Sequence, residues 1–323
     1  FSECLGGSEM GIRDRPGPLV ATELAARLWA AGPFEAGLSR SVLEGAVRGE
    51  TVVTALDEGG APVEHLASAD AVLALGPTAV AVISAQEVAC SAELMRSVDP
   101  ATPLHRTTPS RIRVNKANQT IQENQTVQAD QTVQADQTVQ ADQAVQADQA
   151  VQADQAVQAD RADTDRASRS GPGRSGIGAR LRREAALLTA AQQLGSASRT
   201  VELAVDHAKR RTQFGRPIGA FQAVQHLCAQ MLVRAESARS VVYAAAVTED
   251  PGDIATAKLL ADEAAVHNAR DCLQVHGGMG FTWEADVHLH LKRAWVRAGQ
   301  WQSAAEAEEE LAAGLVSTVE TCL

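Results

Sequence analysis

The chain is 323 residues long, carries a formal net charge of −11, and is 45% hydrophobic but only 3% aromatic. An acidic chain lacks the basic face that a nucleic-acid partner needs, and no run reaches the ~18 apolar residues of a membrane-spanning helix. So few aromatic residues favour alanine-rich helices over a β-sandwich.

Five cysteines, at 4, 90, 228, 272 and 322, are scattered and odd in number, without a CxxC pair. With no signal-like apolar stretch near residue 1, the sequence reads as that of a reduced, cytoplasmic chain. Residues 1–17 are rich in Gly, Pro and charge, and no regular element is expected there. Leu19 to Ala31 reads as a helix stopped by Gly32-Pro33, and Leu38 to Val47 as a second, short one. Neither is a domain alone, and residues 1–50 are taken together.

From Thr51 the pattern changes. Short β-branched runs at Thr51–Leu56, Ala71–Leu75, Ala79–Ser84 and Arg111–Val114 are separated by Gly59-Gly60, Gly76-Pro77 and Asp99-Pro100, which are strand and turn signals. They make residues 51–117 a small β-domain. Residues 118–159 are seven tandem hexapeptides, from NQTIQE to DQAVQA. Successive valines, Val127, Val133 and Val139, step by about 240° around a helix and make no continuous stripe. A hexapeptide β-helix would want turn glycines that the repeat lacks. With one aliphatic residue and one or two alanines per copy, the repeat buries too little to offset ordering, and a solvated linker over 118–175 is expected. Seven of the chain's acidic residues, Glu123 and six aspartates, fall between 118 and 160 with no Lys or Arg among them, so the remaining charge excess is ordinary.

Residues 176–323 can build a conventional core. Leu187, Ala191, Leu194, Ser198, Val201, Val205 and Ala208 recur at helical spacing. So do Val224, Cys228, Met231, Ala235, Ala238 and Val242, and then Ile254, Ala257, Ala261, Ala264 and Cys272. Val287–Trp295 and Ala304–Val316 supply two further helices. Short connections such as Thr248–Asp253 imply antiparallel neighbours. The expected fold is therefore mainly α: a C-terminal antiparallel helical bundle with a reduced central β-domain and a hexapeptide-repeat linker.

Two stretches at helix ends carry more than packing. In K-R-R-T-Q-F-G-R-P-I-G-A-F-Q, Lys209 to Gln222, three cations close an amphipathic run before Gly215 and Pro217. Cations there offset the helix dipole and need no ligand, but that leaves Gln213-Phe214 and Phe221-Gln222 unexplained. In Q-V-H-G-G-M-G-F, Gln274 to Phe281, three glycines interrupt a helical sequence at about 1 kcal/mol each if kept helical, so a turn is forced. Such a turn is either a plain connection or backbone brought close to a ligand.

In order and spacing these motifs resemble the C-terminal helical domain of the flavin-dependent acyl-CoA dehydrogenases. The resemblance implies FAD as cofactor and an acyl-CoA as substrate. It implies that Arg211, Phe214, Gln222, Gln274, Gly277 and Gly278 reach the ADP portion of a neighbouring subunit's FAD, within a homo-oligomer or beside a fuller homologue. Gly17 to Thr22 resembles only the last helix of the family's N-terminal domain, so the chain is expected to begin late in the pattern. Asp57-Glu58-Gly59-Gly60-Ala61-Pro62 stands where the family has flavin-holding Gly-Ser donors. Where many members carry the catalytic Glu, local matching finds Gln300-Trp301-Gln302, with Glu306 the nearest carboxylate. Glu184, beside Arg182 and Arg183, lies near the alternative position for the base and otherwise reads as an ion-pair residue.

The other tempting residues read plainly. His288 and His290 face different directions on one helix, and neither HExxH nor a Cys/His cluster exists, so no metal is expected. No G-x-S-x-G elbow appears. Three functions follow from the sequence: an active acyl-CoA dehydrogenase, a subunit lending its motifs to a partner's flavin, and an inactive remnant serving as a tether or interaction protein.

Overall fold

The computed structural model describes residues 18–30, 40–57, 61–76, 80–107 and 176–321. The hexapeptide repeat and the strand expected at Arg111–Val114 lie outside the described residues.

Two short helices come first, α1 (Leu19–Ala30) and α2 (Arg40–Arg48). Their apolar residues recur three or four apart, so Ala21, Leu24, Ala25 and Leu28 of α1 are buried on one side. The β-region holds β1 (Val53–Asp57), β2 (Val63–Glu64), β3 (Ala71–Leu75), β4 (Val80–Ser84), β5 (Ala92–Met95) and β6 (Leu104–Thr107), with the one-turn helix α3 (Ala85–Ala89) after β4. They form two three-stranded sheets, ordered β1-β3-β4 and β2-β6-β5. β3 is the centre of the first, parallel to β1 in the register Val53↔Ala71 and antiparallel to β4 in the register Leu73↔Val82. Its two faces serve different cores: Leu73 and Leu75 meet α1 and α2, while Val72 points with Leu56, Val63 and Val88 to the other side.

The bundle consists of α4 (Ile177–Arg210), α5 (Gln222–Thr248), α6 (Pro251–His276), α7 (Val287–Ala298) and α8 (Ala304–Thr321). At 34 residues, α4 is about 51 Å long. Its first half, through Leu181, Ala185 and Leu188, completes the core of α1, α2 and the first sheet. Its middle packs on α5 and α6 around a seam made mostly of alanine, with Leu187, Leu194, Val242 and Ile254 among it. Its last turns join a third core at the far end with Met231, Cys272 and Leu291. The helix thus carries one core after another along its length.

The turn between α5 and α6 follows from three residues. Glu249 takes a left-handed conformation at φ 53°, and Pro251 fixes the first turn of α6. Asp250 caps that turn by accepting from the amides of Gly252 and Asp253 at 2.9 and 3.2 Å. Most of the residues picked out by helical spacing are buried: Leu187, Ala191, Leu194, Ala208, Met231, Ala235, Ala238, Val242, Ile254, Ala257, Ala261, Ala264 and Cys272, while Ser198, Val201, Val205, Val224 and Cys228 are half-buried. Arg182 ties bundle to sheet: its guanidinium donates to the Asp57 carboxylate at 2.6 Å and to the Leu75 carbonyl at 2.7 Å. Among the described residues no helix is long and apolar enough to cross a membrane.

Candidate cofactor-binding edge

The two glycine-bearing motifs meet at one end of the bundle. Arg211 ends α4 in extended backbone, its amide still donating to the His207 carbonyl at 2.9 Å. The helix does not simply stop there. Strands β7 (Thr212–Gln213) and β8 (Arg216–Pro217) pair antiparallel, Gln213↔Arg216, about a two-residue turn formed by Phe214 and Gly215. Both turn residues have positive φ, 54° and 77°, the geometry that matches strand twist in a tight hairpin. Glycine adopts it freely, whereas a phenylalanine there is strained. The Phe214 ring nevertheless stands 92% exposed, steadied only edge-on by Phe221, whose ring lies 6.2 Å away and carries the Arg216 guanidinium at 4.2 Å. Gln222 then opens α5, exposed.

On the neighbouring helix, Gln274 is exposed in the last turn of α6. Gly277 ends that helix at φ 61°, ψ −143°, a conformation essentially restricted to glycine. Gly277–Phe281 form a 3₁₀ turn. Gly278 is exposed, and nothing lies within 4 Å of where its Cβ would stand; a Cβ on buried Gly280 would come within 3.1 Å of Leu273 and His276. Gly278 leaves its backbone open to the outside and Gly280 serves packing. The two motifs are joined by a ring contact not legible in the sequence: His207 and His276 stack with centroids 4.1 Å apart and planes 29° from parallel. Burial, His276, Arg211 and Arg210 together hold the His207 imidazole below its ordinary range. Arg211, Phe214, Gln222, Gln274, Gly277 and Gly278 are thus brought to one end of the bundle, all exposed.

A different picture holds where bundle and β-region meet. Trp301, within the stretch Gln300-Trp301-Gln302, sits at φ 64° and wedges between the alanine-rich core and the core of α1, α2 and the first sheet. With Gln300, Thr54, Asp57 and Glu64 it lines a small cavity. The nearby acids have other duties. Asp57 is held by Arg182. Glu306 accepts from the Ser303 amide and hydroxyl at 2.8 and 2.7 Å, capping α8, and those bonds hold its carboxyl below the ordinary range. Glu184 pairs with Arg180 at 2.8 Å and with Arg27 at 3.9 Å and is not part of the cavity wall. The Thr54 hydroxyl donates to the Glu64 carbonyl.

Glu64 is the ionisable group that sequence reasoning missed. From β2 it faces Arg297 and Arg293 of α7 across a second small cavity, whose wall includes His65 and Gln192. Burial pushes its carboxyl up to about 7, with Arg297 drawing it down and Asp99 pushing it up. Burial also draws Arg297 down to about 10, so it stays charged at neutral pH. Asp99, fully buried, accepts from Arg293 at 3.2 Å and from the Thr102 hydroxyl at 2.8 Å. Among the described residues no group of His, Cys, Asp or Glu is placed to hold a metal ion.

Comparison with known proteins finds relatives for the bundle. Residues 177–299 match the family model described as the acyl-CoA dehydrogenase C-terminal domain. Over 110 residues the chain is 49% identical to the acyl-CoA dehydrogenase IpdE2 of Mycobacterium tuberculosis, a match spanning 34% of this chain and 35% of that one. It is 48% identical over 124 residues to the acyl-CoA dehydrogenase FadE34 of the same organism, covering 36% of this chain and 17% of the other. The chain thus aligns with about a third or less of the length of these curated relatives. In fold it is similar to the ChsE4-ChsE5 complex from Mycobacterium tuberculosis, with a TM-score of 0.62 at 19% identity over 97% of this chain and 79% of that one.

Proposed function

From a chain whose residues 177–299 belong to the acyl-CoA dehydrogenase family as its C-terminal domain, we propose that the protein is a subunit of a cytoplasmic FAD-dependent acyl-CoA dehydrogenase. It acts in lipid or steroid breakdown and lends its exposed edge to the flavin of a neighbouring chain. The observation that carries this reading is an asymmetry. The six edge residues are exposed, while at the junction of bundle and β-region Trp301 packs between two cores, Asp57 is held by Arg182 and Glu306 caps α8.

The edge suits the ADP end of FAD. Arg211 offers a planar fork that pairs two phosphate oxygens at once. The open backbone at Gly278 admits close approach, and the exposed Phe214 ring offers an apolar face. FAD, when bound, supplies the hydride acceptor for the β-carbon of the acyl thioester. The contribution of this chain is to hold and orient the dinucleotide, with the base that takes the α-proton coming from the partner. That the ChsE4-ChsE5 structure is of a complex makes a two-chain assembly a reasonable setting.

The test is purification of the protein alone and beside a fuller acyl-CoA dehydrogenase chain, followed by a flavin absorption spectrum. Alone it should be colourless or nearly so, and the assembly yellow. In the assembly Arg211→Ala should weaken FAD retention by about 1.5–3 kcal/mol, the range for a charge-assisted hydrogen bond. Protein that is yellow when expressed alone, with a full complement of flavin and turnover of an acyl-CoA, overturns the partner reading.

A further inference from the structure

We infer that His207 and His276 are positioning residues that lock the two halves of the dinucleotide-facing edge together, and that the lock holds only while the His207 ring is neutral. The inference rests on the reading that this edge faces a dinucleotide. His207 lies one turn before Arg211, whose amide it accepts through its carbonyl, and His276 immediately precedes Gly277. Their stack, at 4.1 Å between centroids, therefore fixes the distance between the cation and the open glycine turn. Any ligand held by both needs that distance kept.

The surroundings make the stack sensitive to protons. His276 Nδ1 lies 2.8 Å from the Cys272 carbonyl, an acceptor only, so Nδ1 donates to it and the ring is held to its own helix. Around the rings α4 brings the cations Lys209, Arg210 and Arg211, of which the two arginines act on His207. Asp206, on the same turn, engages Arg210 through its backbone carbonyl. From α6 come Cys272, whose sulfur lies 3.7 Å from His276 Nδ1, and Asp271, whose carboxylate is paired with Arg234 of α5. Cys228 of α5 stands near Cys272, and burial pushes the Cys272 thiol up to about 12, so it stays neutral. The 3₁₀ turn that follows, Gly277–Phe281, carries no ionisable side chain. A proton added to His207 meets cations and another imidazole, with the nearest α6 carboxylate already engaged. Protonation therefore favours separation of the rings and release of the turn.

The decisive measurement is amide exchange on the full chain near pH 7.5 and 5.5, as protection factors for residues 276–281 relative to core amides at 261–265 of α6. The wild type should lose part of that relative protection on acidification. His207→Phe, which keeps a ring and removes the proton, should hold protection level across the range. His207→Lys, permanently charged, should be low at both values. If His207→Phe fails to fold, His207→Tyr, which also keeps a ring and carries no charge over this range, supplies the same comparison. Protection that is flat with pH in the wild type, or equally pH-dependent in the Phe variant, overturns the inference. FAD retention by the assembly that falls in acid for the wild type and not for His207→Phe supports it. Retention that is flat while exchange responds to pH overturns the dinucleotide reading alone and leaves the lock standing.

Discussion

Replacing Glu64 by Gln tests whether the seam between β-region and bundle is built as described. The carboxyl is pushed from 4.5 to about 7 by burial against α7. A folded-state pKa raised above the unfolded value means that the native state binds the proton more tightly. The associated stability is fully present below pH 4.5, and is lost as pH rises from there through about 7. The interval from 4.5 to about 7, at about 1.36 kcal/mol per unit, is worth about 3 kcal/mol. Gln mimics the protonated carboxyl in shape and cannot ionise. Urea unfolding followed by circular dichroism should therefore find wild type and Glu64→Gln of similar stability near pH 4.5, with the variant ahead by about 3 kcal/mol near pH 8. Arg297 belongs to the same balance, because its attraction for ionised Glu64 limits the rise. Parallel stability curves for the two proteins, or a wild type that gains on the Glu64→Gln variant as pH rises, would refute the account of Glu64 as a desolvated acid.

Two glycines of one turn should behave in opposite ways. Gly280→Ala places a Cβ 3.1 Å from Leu273 and His276 and should cost about 1–3 kcal/mol in thermal unfolding of the chain alone, whereas Gly278→Ala, with open space around it, should leave unfolding nearly unchanged while lowering FAD retention in the assembly. Equal effects on unfolding would contradict the division of roles. Glu184→Gln weakens the pairs with exposed Arg180 and half-buried Arg27 and should cost about 1 kcal/mol, with turnover of a flavin-bearing assembly unchanged; abolished turnover would instead make Glu184 the base.

The bundle was legible because its signals are local. Helical spacing from Leu187 to Cys272 marked the buried stripes, and Asp250-Pro251 marks the start of α6 in adjacent letters. The edge motifs were legible as motifs, but their shape was not: Thr212–Pro217 reads as a helix end and is a hairpin that forces Phe214 into positive φ. What joins the pieces was hidden. Arg182 reaches Asp57, Glu64 faces Arg297, and His207 stacks on His276, each pair drawn from distant parts of the sequence. Nothing in the spacing of those residues announces the partner. The parallel pairing of β1 with β3 was equally silent, since a β-branched run states that it is a strand and not which neighbour it takes.

The alanine seam of α4, α5 and α6 carries a risk in folding that its polar residues remove. Surfaces of alanine fit one another almost as well after a slip of one helical turn, about 5.4 Å, so packing alone distinguishes the correct alignment poorly. Within the buried layer, Gln193 of α4 donates to Asp262 of α6 at 2.9 Å and to the Ala294 carbonyl of α7 at 3.0 Å. Lys258 of α6 donates to the Arg297 carbonyl of α7 at 3.2 Å, and Asn268 of α6 donates to the Met231 carbonyl of α5 at 2.9 Å. A slipped helix would separate these groups and leave each buried without its partner, at about 1–3 kcal/mol apiece. The polar layer thus acts as a vernier for helices whose apolar faces are too smooth to measure their own alignment.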